Sequence, residues 1–307
     1  MGNRVQVLGP VFFDVVLADL EHPPQPGREV YAGTLGIAPG GVANVAVALA
    51  RLGLDVGLSA VFADDMFGEY LWTTLEGEEV DLSHSRRVRG WTTPLTAAIS
   101  YEQDRSLITH ERASGVDVAS LLPSDYTADA LVVSLTGADA RWLRGVRRHG
   151  SLVFADIAWE EGGTPPEDLR AKLEHVDVFL PNAAEALALT GAADVVEAAR
   201  SLAGSGVLAV ITDGARGATG LDPLDGEPVH EQAPEVYVRD TTGAGDVFDA
   251  GFIYATLAGW SLRRRLRFAN LCASESVRRA AGSMAAPSRA ELEERWRAID
   301  DLEESAR

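Results

Sequence analysis

Six short, mostly apolar runs recur along this chain, at 5–8, 56–62, 131–135, 152–155, 176–180 and 207–211, each bounded by turn residues. All six read as strands, and the last four, β-branched or apolar throughout, as strands buried on both faces. Between them lie stretches with helical spacing, at 41–52, 138–148, 183–189 and 195–203. Strand and helix in alternation specify an α/β fold: a mostly parallel central sheet with helices on both faces and right-handed crossovers. The 307 residues, 46% of them hydrophobic, suffice for one large α/β unit and a small appendage. Two further helices are expected at 244–258 and 263–281. The arginines of the second (Arg263, Arg264, Arg265, Arg267) read as a solvated face.

One region breaks the alternation. Residues 92–110 read as a hairpin, because Leu95, Ala97 and Ile99 alternate with Thr96, Ala98 and Ser100. The stretch 14–35 is extended and irregular. Together, about 11–36 and 90–112 make a small β-sheet outside the main one, either a lid that excludes water from a cleft or a surface hairpin with no role. We treat 1–307 as a single domain carrying that lid.

Charge and cysteine usage narrow the partners. The net charge of −19 repels phosphate backbones and anionic lipid, so neither nucleic acid nor a membrane surface is an expected partner. The single cysteine, Cys272, forms no internal disulfide and reads as a buried small hydrophobe in a helix. The start, MGNRVQVLGP, lacks the layout of a signal peptide, and no uncharged apolar run reaches the roughly 18 residues of a membrane span. We read the chain as cytoplasmic. The one lysine, Lys172, lies between Ala171 and Leu173, so a Walker-type phosphate loop is excluded.

The segment Arg239-Asp240-Thr241-Thr242-Gly243-Ala244-Gly245-Asp246-Val247-Phe248-Asp249-Ala250-Gly251-Phe252 carries the chemistry. It follows the strand-like 236–238 and leads into an apolar helix. The first amides of a helix have no internal partner, and its dipole adds positive character there. Gly243, Ala244 and Gly245 let a phosphate approach those amides closely. On layout alone Asp246 has two roles open to it, a helix cap or a base that accepts the proton of an attacking hydroxyl in phosphoryl transfer.

DTTGAGDVFDAGF resembles the C-terminal signature of the ribokinase-like, or PfkB-type, carbohydrate kinases. The stretch from Pro39 to Gly53, with Gly40, Gly41 and Asn44, resembles that family's N-terminal glycine-pair and asparagine motif, and Pro181-Asn182-Ala183-Ala184-Glu185 its Asn-x-x-Glu motif. The resemblance runs from about residue 5 to 290, with all three motifs in the family's order. It implies a ribokinase-like three-layer α/β/α sandwich with a β lid, and an ATP-dependent kinase that phosphorylates a sugar hydroxyl. By resemblance, Asp246 is the base, 243–246 the anion hole, and Asp14, Gly40, Gly41 and Asn44 hold substrate hydroxyls. Asn182 and Glu185 resemble the pair that positions Mg²⁺, although their spacing also suits a helix capping box. Thr212, Gly214 and Gly217 look like the nucleotide-binding turn, with Thr242 beside the phosphates and Asn270 near the base of ATP. Asp240 resembles a ligand of the monovalent cation, K⁺, that activates many relatives. Its further ligands would be carbonyls around 280–285, where the sequence departs from the ribokinase pattern. Lids in this family often pair between subunits, which implies a homodimer.

Kinases of this family acting on sugar phosphates tend to carry a lysine after the glycine pair. Val42 stands here, so a phosphorylated substrate is disfavoured. Ribose, fructose, an acidic sugar such as ketodeoxygluconate, and a nucleoside stay open. Arg105 and Arg112 either meet an anionic group or are solvated hairpin charges. Phe12, Phe13 and Trp91 either face a nucleoside base or belong to the core. Two other classes were weighed. A dinucleotide-dependent oxidoreductase needs Gly-x-Gly-x-x-Gly after an early strand, and Leu8-Gly9-Pro10-Val11-Phe12 lacks it. A non-catalytic sugar or nucleotide sensor would lose the base or the glycines, and both are intact.

Overall fold

The computed structural model describes residues 3–101, 104–123, 125–135, 140–148, 150–157, 166–279 and 281–304. The first half of the chain contains β1 (Arg4–Leu8), β2 (Val11–Leu20), β3 (Ala32–Gly41), α1 (Val42–Arg51), β4 (Asp55–Ser59), β5 (Val61–Ala63) and α2 (Met66–Gly77). It continues with β6 (Arg86–Val88), β7 (Leu95–Tyr101), β8 (Asp104–His110), β9 (Ala130–Ser134), α3 (Ala140–Arg148) and β10 (Leu152–Asp156). The second half holds α4 (Pro166–Leu173), β11 (Val178–Phe179), α5 (Ala183–Thr190), α6 (Val195–Ala203) and β12 (Leu208–Thr212). The chain then forms β13 (Ala218–Leu221), β14 (Val229–Glu231), α7 (Ala244–Leu257), α8 (Leu262–Ser276) and α9 (Arg289–Glu304).

The apolar runs do become one sheet, in the order β14-β13-β12-β11-β10-β9-β1-β4. Every pairing from β12 to β4 is parallel, and β13 and β14 add an antiparallel edge. Two cores explain why these strands are apolar throughout. Val5, Val7, Ala130, Val132, Phe154, Leu208 and Val210 face one core, with α1, α7 and α8. Their neighbours Leu131, Val133, Val153, Ala155, Ala209 and Ile211 face the other, with α6. A strand with a core on each side has no polar face to alternate.

Several boundaries differ from the sequence reading. The run 56–62 is two strands, β4 in the main sheet and β5 paired with β6 in a separate ribbon. The run 176–180 contributes only Val178 and Phe179 as a strand, and the helix expected over 263–281 ends at Ser276. The short edge strands β13 and β14 were not anticipated, nor was α9, although its Leu292, Trp296 and Ile299 fall at helical spacing. The arginines of α8 are not simply solvated. Arg263 and Arg267 pair with the buried Glu231 of β14, and Arg264 lies over the Trp260 ring.

The second sheet has the order β3-β2-β7-β8. Its root is packed firmly: the Phe13 ring meets Phe67 at 4.8 Å and Tyr70 at 5.3 Å. Phe13 is therefore core rather than a substrate contact. The Ser283 hydroxyl donates to the Pro39 carbonyl at 2.6 Å, fixing β3 where it runs into α1. Among the described residues, no helix is long and apolar enough to cross a membrane.

Candidate active site

The sequence-predicted residues collect at the carboxyl ends of the central strands, where ligands bind in open α/β sheets. Gly243 ends the loop after β14 with φ +75°, a left-handed conformation that glycine adopts without strain, and α7 starts from it. No described side chain caps α7. The Ala244 amide is turned back to the Thr241 carbonyl at 3.2 Å. A Cβ added to the exposed Gly245 would meet nothing within 4 Å, so the space in front of this helix end is open. The arrangement leaves the first-turn amides for an anion.

Asp246 stands in that first turn and accepts a hydrogen bond from Asn44 Nδ2 at 2.9 Å. Asn44, 4% exposed, comes from α1, which packs beside α7, and its Oδ1 is buried without a hydrogen-bond partner. That orphaned acceptor suits a hydroxyl donor, since a buried unpaired acceptor costs about 1–3 kcal/mol. α1 has no side-chain cap either, and it begins at Gly41, whose φ is +62°. A Cβ on Gly41 would lie 2.4 Å from the Pro10 carbonyl and 2.7 Å from the Phe12 ring, which places Phe12 against the backbone.

Asp14 enters from β2 and is 6% exposed. Its carboxylate lies so close over Gly40 that a Cβ there would sit 2.2 Å from it. Gly40 is thus the residue that lets a carboxylate settle on the β3 backbone. Asp14, Gly40, Gly41, Asn44 and Asp246 form one continuous patch, linked by these contacts.

Below the anion turn, Asp240 is 3% exposed. Its Oδ1 accepts from the Thr242 amide at 2.9 Å and the Thr242 hydroxyl at 2.7 Å, and its Oδ2 is buried with no hydrogen-bond partner. An orphaned carboxylate oxygen is the kind of donor a cation satisfies. Two of the carbonyls on the neighbouring turn are already engaged: Arg51 Nη1 donates to Met284 O at 3.0 Å and Ala286 O at 2.8 Å.

Asn182 and Glu185 form a full capping box on α5. The Glu185 amide donates to Asn182 Oδ1 at 3.0 Å, and the Asn182 amide donates to Glu185 Oε2 at 2.8 Å. The cap holds the pair rigid at the strand ends, where Asn182 bridges Thr212. Two carboxylates missed in the sequence share this floor, Asp156 at the end of β10 and Asp249 on α7. Burial pushes the Asp156 carboxyl well above the usual range, and the charges of Glu185 and Asp246 push it further. Burial does the same to Asp249, reinforced by Asp156, Asp246 and Glu185. Burial raises Glu185 against the pull of its Asn182 hydrogen bonds. Asp249 was legible: three residues after Asp246 on a helix, it shares that residue's face. Asp156, a lone acid at a strand end, gives no such signal.

The remaining residues divide. Thr212 ends β12 and Gly214 lies on the turn after it, at φ +55°. A Cβ on Gly217 would fall 2.0 Å from the Glu231 carbonyl, so the packing of β14 by itself requires glycine there. Asn270 is buried in α8 and its Nδ2 donates to that same carbonyl at 2.8 Å, tying α8 to β14. Arg112 is exposed, and its carbonyl accepts from Trp91 Nε1 at 2.9 Å, so Trp91 is fastened to the loop after β8. The side chain of Arg105 and residue 280 lie outside the described residues. Cys272 is buried in α8, and burial pushes its thiol far up.

The chain is 29% identical over 310 residues to the sugar kinase YeiI of Escherichia coli, covering 92% of this chain and 80% of that protein. It is 28% identical to the ribokinase of Haemophilus influenzae, covering 95% and 97%. The structure of Arabidopsis thaliana ribokinase complexed with ribose and ATP superposes with a TM-score of 0.79 over 96% of this chain and 99% of that one, at 23% identity. The model of the pfkB family of carbohydrate kinases matches residues 3–289, and the chain belongs to that family.

Proposed function

We propose that this carbohydrate kinase moves the γ-phosphoryl of ATP to a hydroxyl of an unphosphorylated sugar, with Asp246 as the base. The observation that carries this is the Asn44–Asp246 contact of 2.9 Å beside an uncapped helix N-terminus. A carboxylate and bare amides share one turn, so proton acceptance and charge stabilisation fall on the same point. Asp14 and Asn44 supply the acceptors that several sugar hydroxyls need, and the solved relative with ribose and ATP supports this ligand pair.

Asp14 and Asn44 hold the sugar with its reacting hydroxyl toward Asp246, and the lid covers it. Asp246 takes the proton as the hydroxyl attacks in line. The amides of Gly243, Gly245 and Asp246 receive the charge that develops on the transferred group. Thr212 and Gly214 border the nucleotide, with Asn182 beside them.

Glu185, fixed by its cap beside Asn182, is the carboxylate that would hold Mg²⁺, with the phosphates of ATP and water as its other partners. When bound with ATP, Mg²⁺ neutralises phosphate charge. The buried Oδ2 of Asp240 fits K⁺ or another monovalent cation, which would hold the loop ahead of the anion turn. We also propose a homodimer through the lid, because its outer face leaves Leu35 68% and Ile108 62% exposed. The buried single cysteine supports a cytoplasmic setting.

An ADP-release assay across ribose, fructose, ketodeoxygluconate and nucleosides tests the reading. Sugar-dependent ADP release is expected. Tight binding of one sugar with no ADP release would instead identify a sensor.

A further inference from the structure

The lid is held at both ends, but in different ways. At the root, Phe13, Phe67 and Tyr70 pack ring against ring. At the tip, the ninth residue of β2, Asp19, takes φ +58°, one of two described residues other than glycine with positive φ. One oxygen of its carboxylate takes two contacts. Oδ2 accepts from the Thr34 hydroxyl of β3 and from Arg239 Nη2 at 3.2 Å, 220 residues away. Arg239 immediately precedes Asp240, and its own amide donates to Val277 O at 2.8 Å, which fixes its backbone to the end of α8. One strand over, Ser100 of β7, buried on the lid's inner side, sets its hydroxyl 3.5 Å from Asp240 Oδ1. Two neighbouring lid strands therefore end on two consecutive residues of the loop that leads into the anion turn.

We infer that the Asp19–Arg239 ion pair is a latch that holds the lid tip down on this loop and so positions the sugar beneath it. The inference rests on the kinase reading for its effect on the sugar, but not for the latch itself. The two side chains are each about half exposed, at 48% and 46%. A pair of this kind is weak and screened by salt, which suits a contact that opens and closes each turnover. Asp tolerates positive φ better than most residues, so the strained position and the charge are met by one side chain.

The test uses Asp19→Asn, Arg239→Met, the double variant and Arg239→Lys. Asparagine keeps the tolerance of positive φ and removes only the charge. Amide hydrogen exchange of β3 and β8, measured without substrate, is expected to speed up about two- to fivefold in each single variant while the central sheet is unchanged. The double variant should be no faster than either single, and Arg239→Lys should stay near wild type. In the kinase assay the sugar KM should rise by the same factor, with kcat and the KM for ATP unmoved. Wild type in 1 M NaCl should behave like the variants. Unchanged lid exchange in both single variants, or additive effects in the double, would overturn the latch. Wild-type protein that releases no ADP with any sugar would refute the kinase reading, leaving the exchange result to decide the latch.

Discussion

The two larger sheets of this molecule are built on opposite principles. The central sheet is buried on both faces, and its strands are apolar almost without interruption. The lid sheet is covered on one face only. Val16, Ala18, Ala38 and Ala98 turn inward and are nearly inaccessible, while Leu35, Ile37 and Ile108 stay exposed. The central sheet supplies rigid strand ends, where Asp156, Asn182 and Thr212 are fixed. The lid brings Asp14 to the same patch from β2, on a sheet covered on one face only. Under the proposed kinase reading, precision of the chemistry would come from the first sheet and access to it from the second.

The largest effect that separates the two is expected at Asp14. Asp14→Ala should lower kcat/KM for the sugar by about 30- to 100-fold, the loss of a charged hydrogen-bonding partner worth about 2–3 kcal/mol, with the KM for ATP unchanged. An equal loss on the ATP side would show that the lid does not act on the sugar alone. Next comes Gly40→Ala, whose Cβ must displace the Asp14 carboxylate. Steady-state kinetics should show a similar pattern, reduced to about tenfold where the strand can give.

A smaller effect, of opposite sign, is expected in the central sheet's acidic floor. Burial and three neighbouring acids hold the folded-state value of Asp249 above its ordinary value. The resulting penalty is absent below the usual carboxylate range and grows as pH rises through the folded value. Asp249→Asn should therefore raise the melting temperature by about 1–2 °C at neutral pH, the shift that about 1 kcal/mol makes in a domain of this size, and by less in acid. Calorimetry at two pH values reads it. Smallest in catalytic terms is Ile37→Glu on the lid's outer face. Sedimentation should show dimer giving way to monomer with the kinetics little changed, and a wild type that is already monomeric would refute the pairing.

The same contrast explains what the sequence made legible. Strands such as β9 and β12 announce themselves because a double core forbids polar residues. β3 is harder to read, since Pro39, Gly40 and Gly41 look like a loop and serve as a strand end only because Asp14 and Phe12 press against them. The turn at 243–246 stands out because a glycine run before an apolar helix is a layout that binds anions, while the role given to Asp246 comes from the family resemblance. The floor formed by Asp156 and Asp249 was not read, because its meaning lies in three-dimensional crowding of charge. The Asp19–Arg239 pair spans 220 residues and no local pattern encodes it.

The central claim is that Asp246 accepts the hydroxyl proton at a helix end prepared for phosphate. Its most direct measurement is turnover of Asp246→Asn with sugar and ATP affinities followed by calorimetry. The account predicts both ligands bound near wild-type affinity and kcat reduced by about 10²-fold or more. A folded variant that binds both and turns over at a near-normal rate would contradict it.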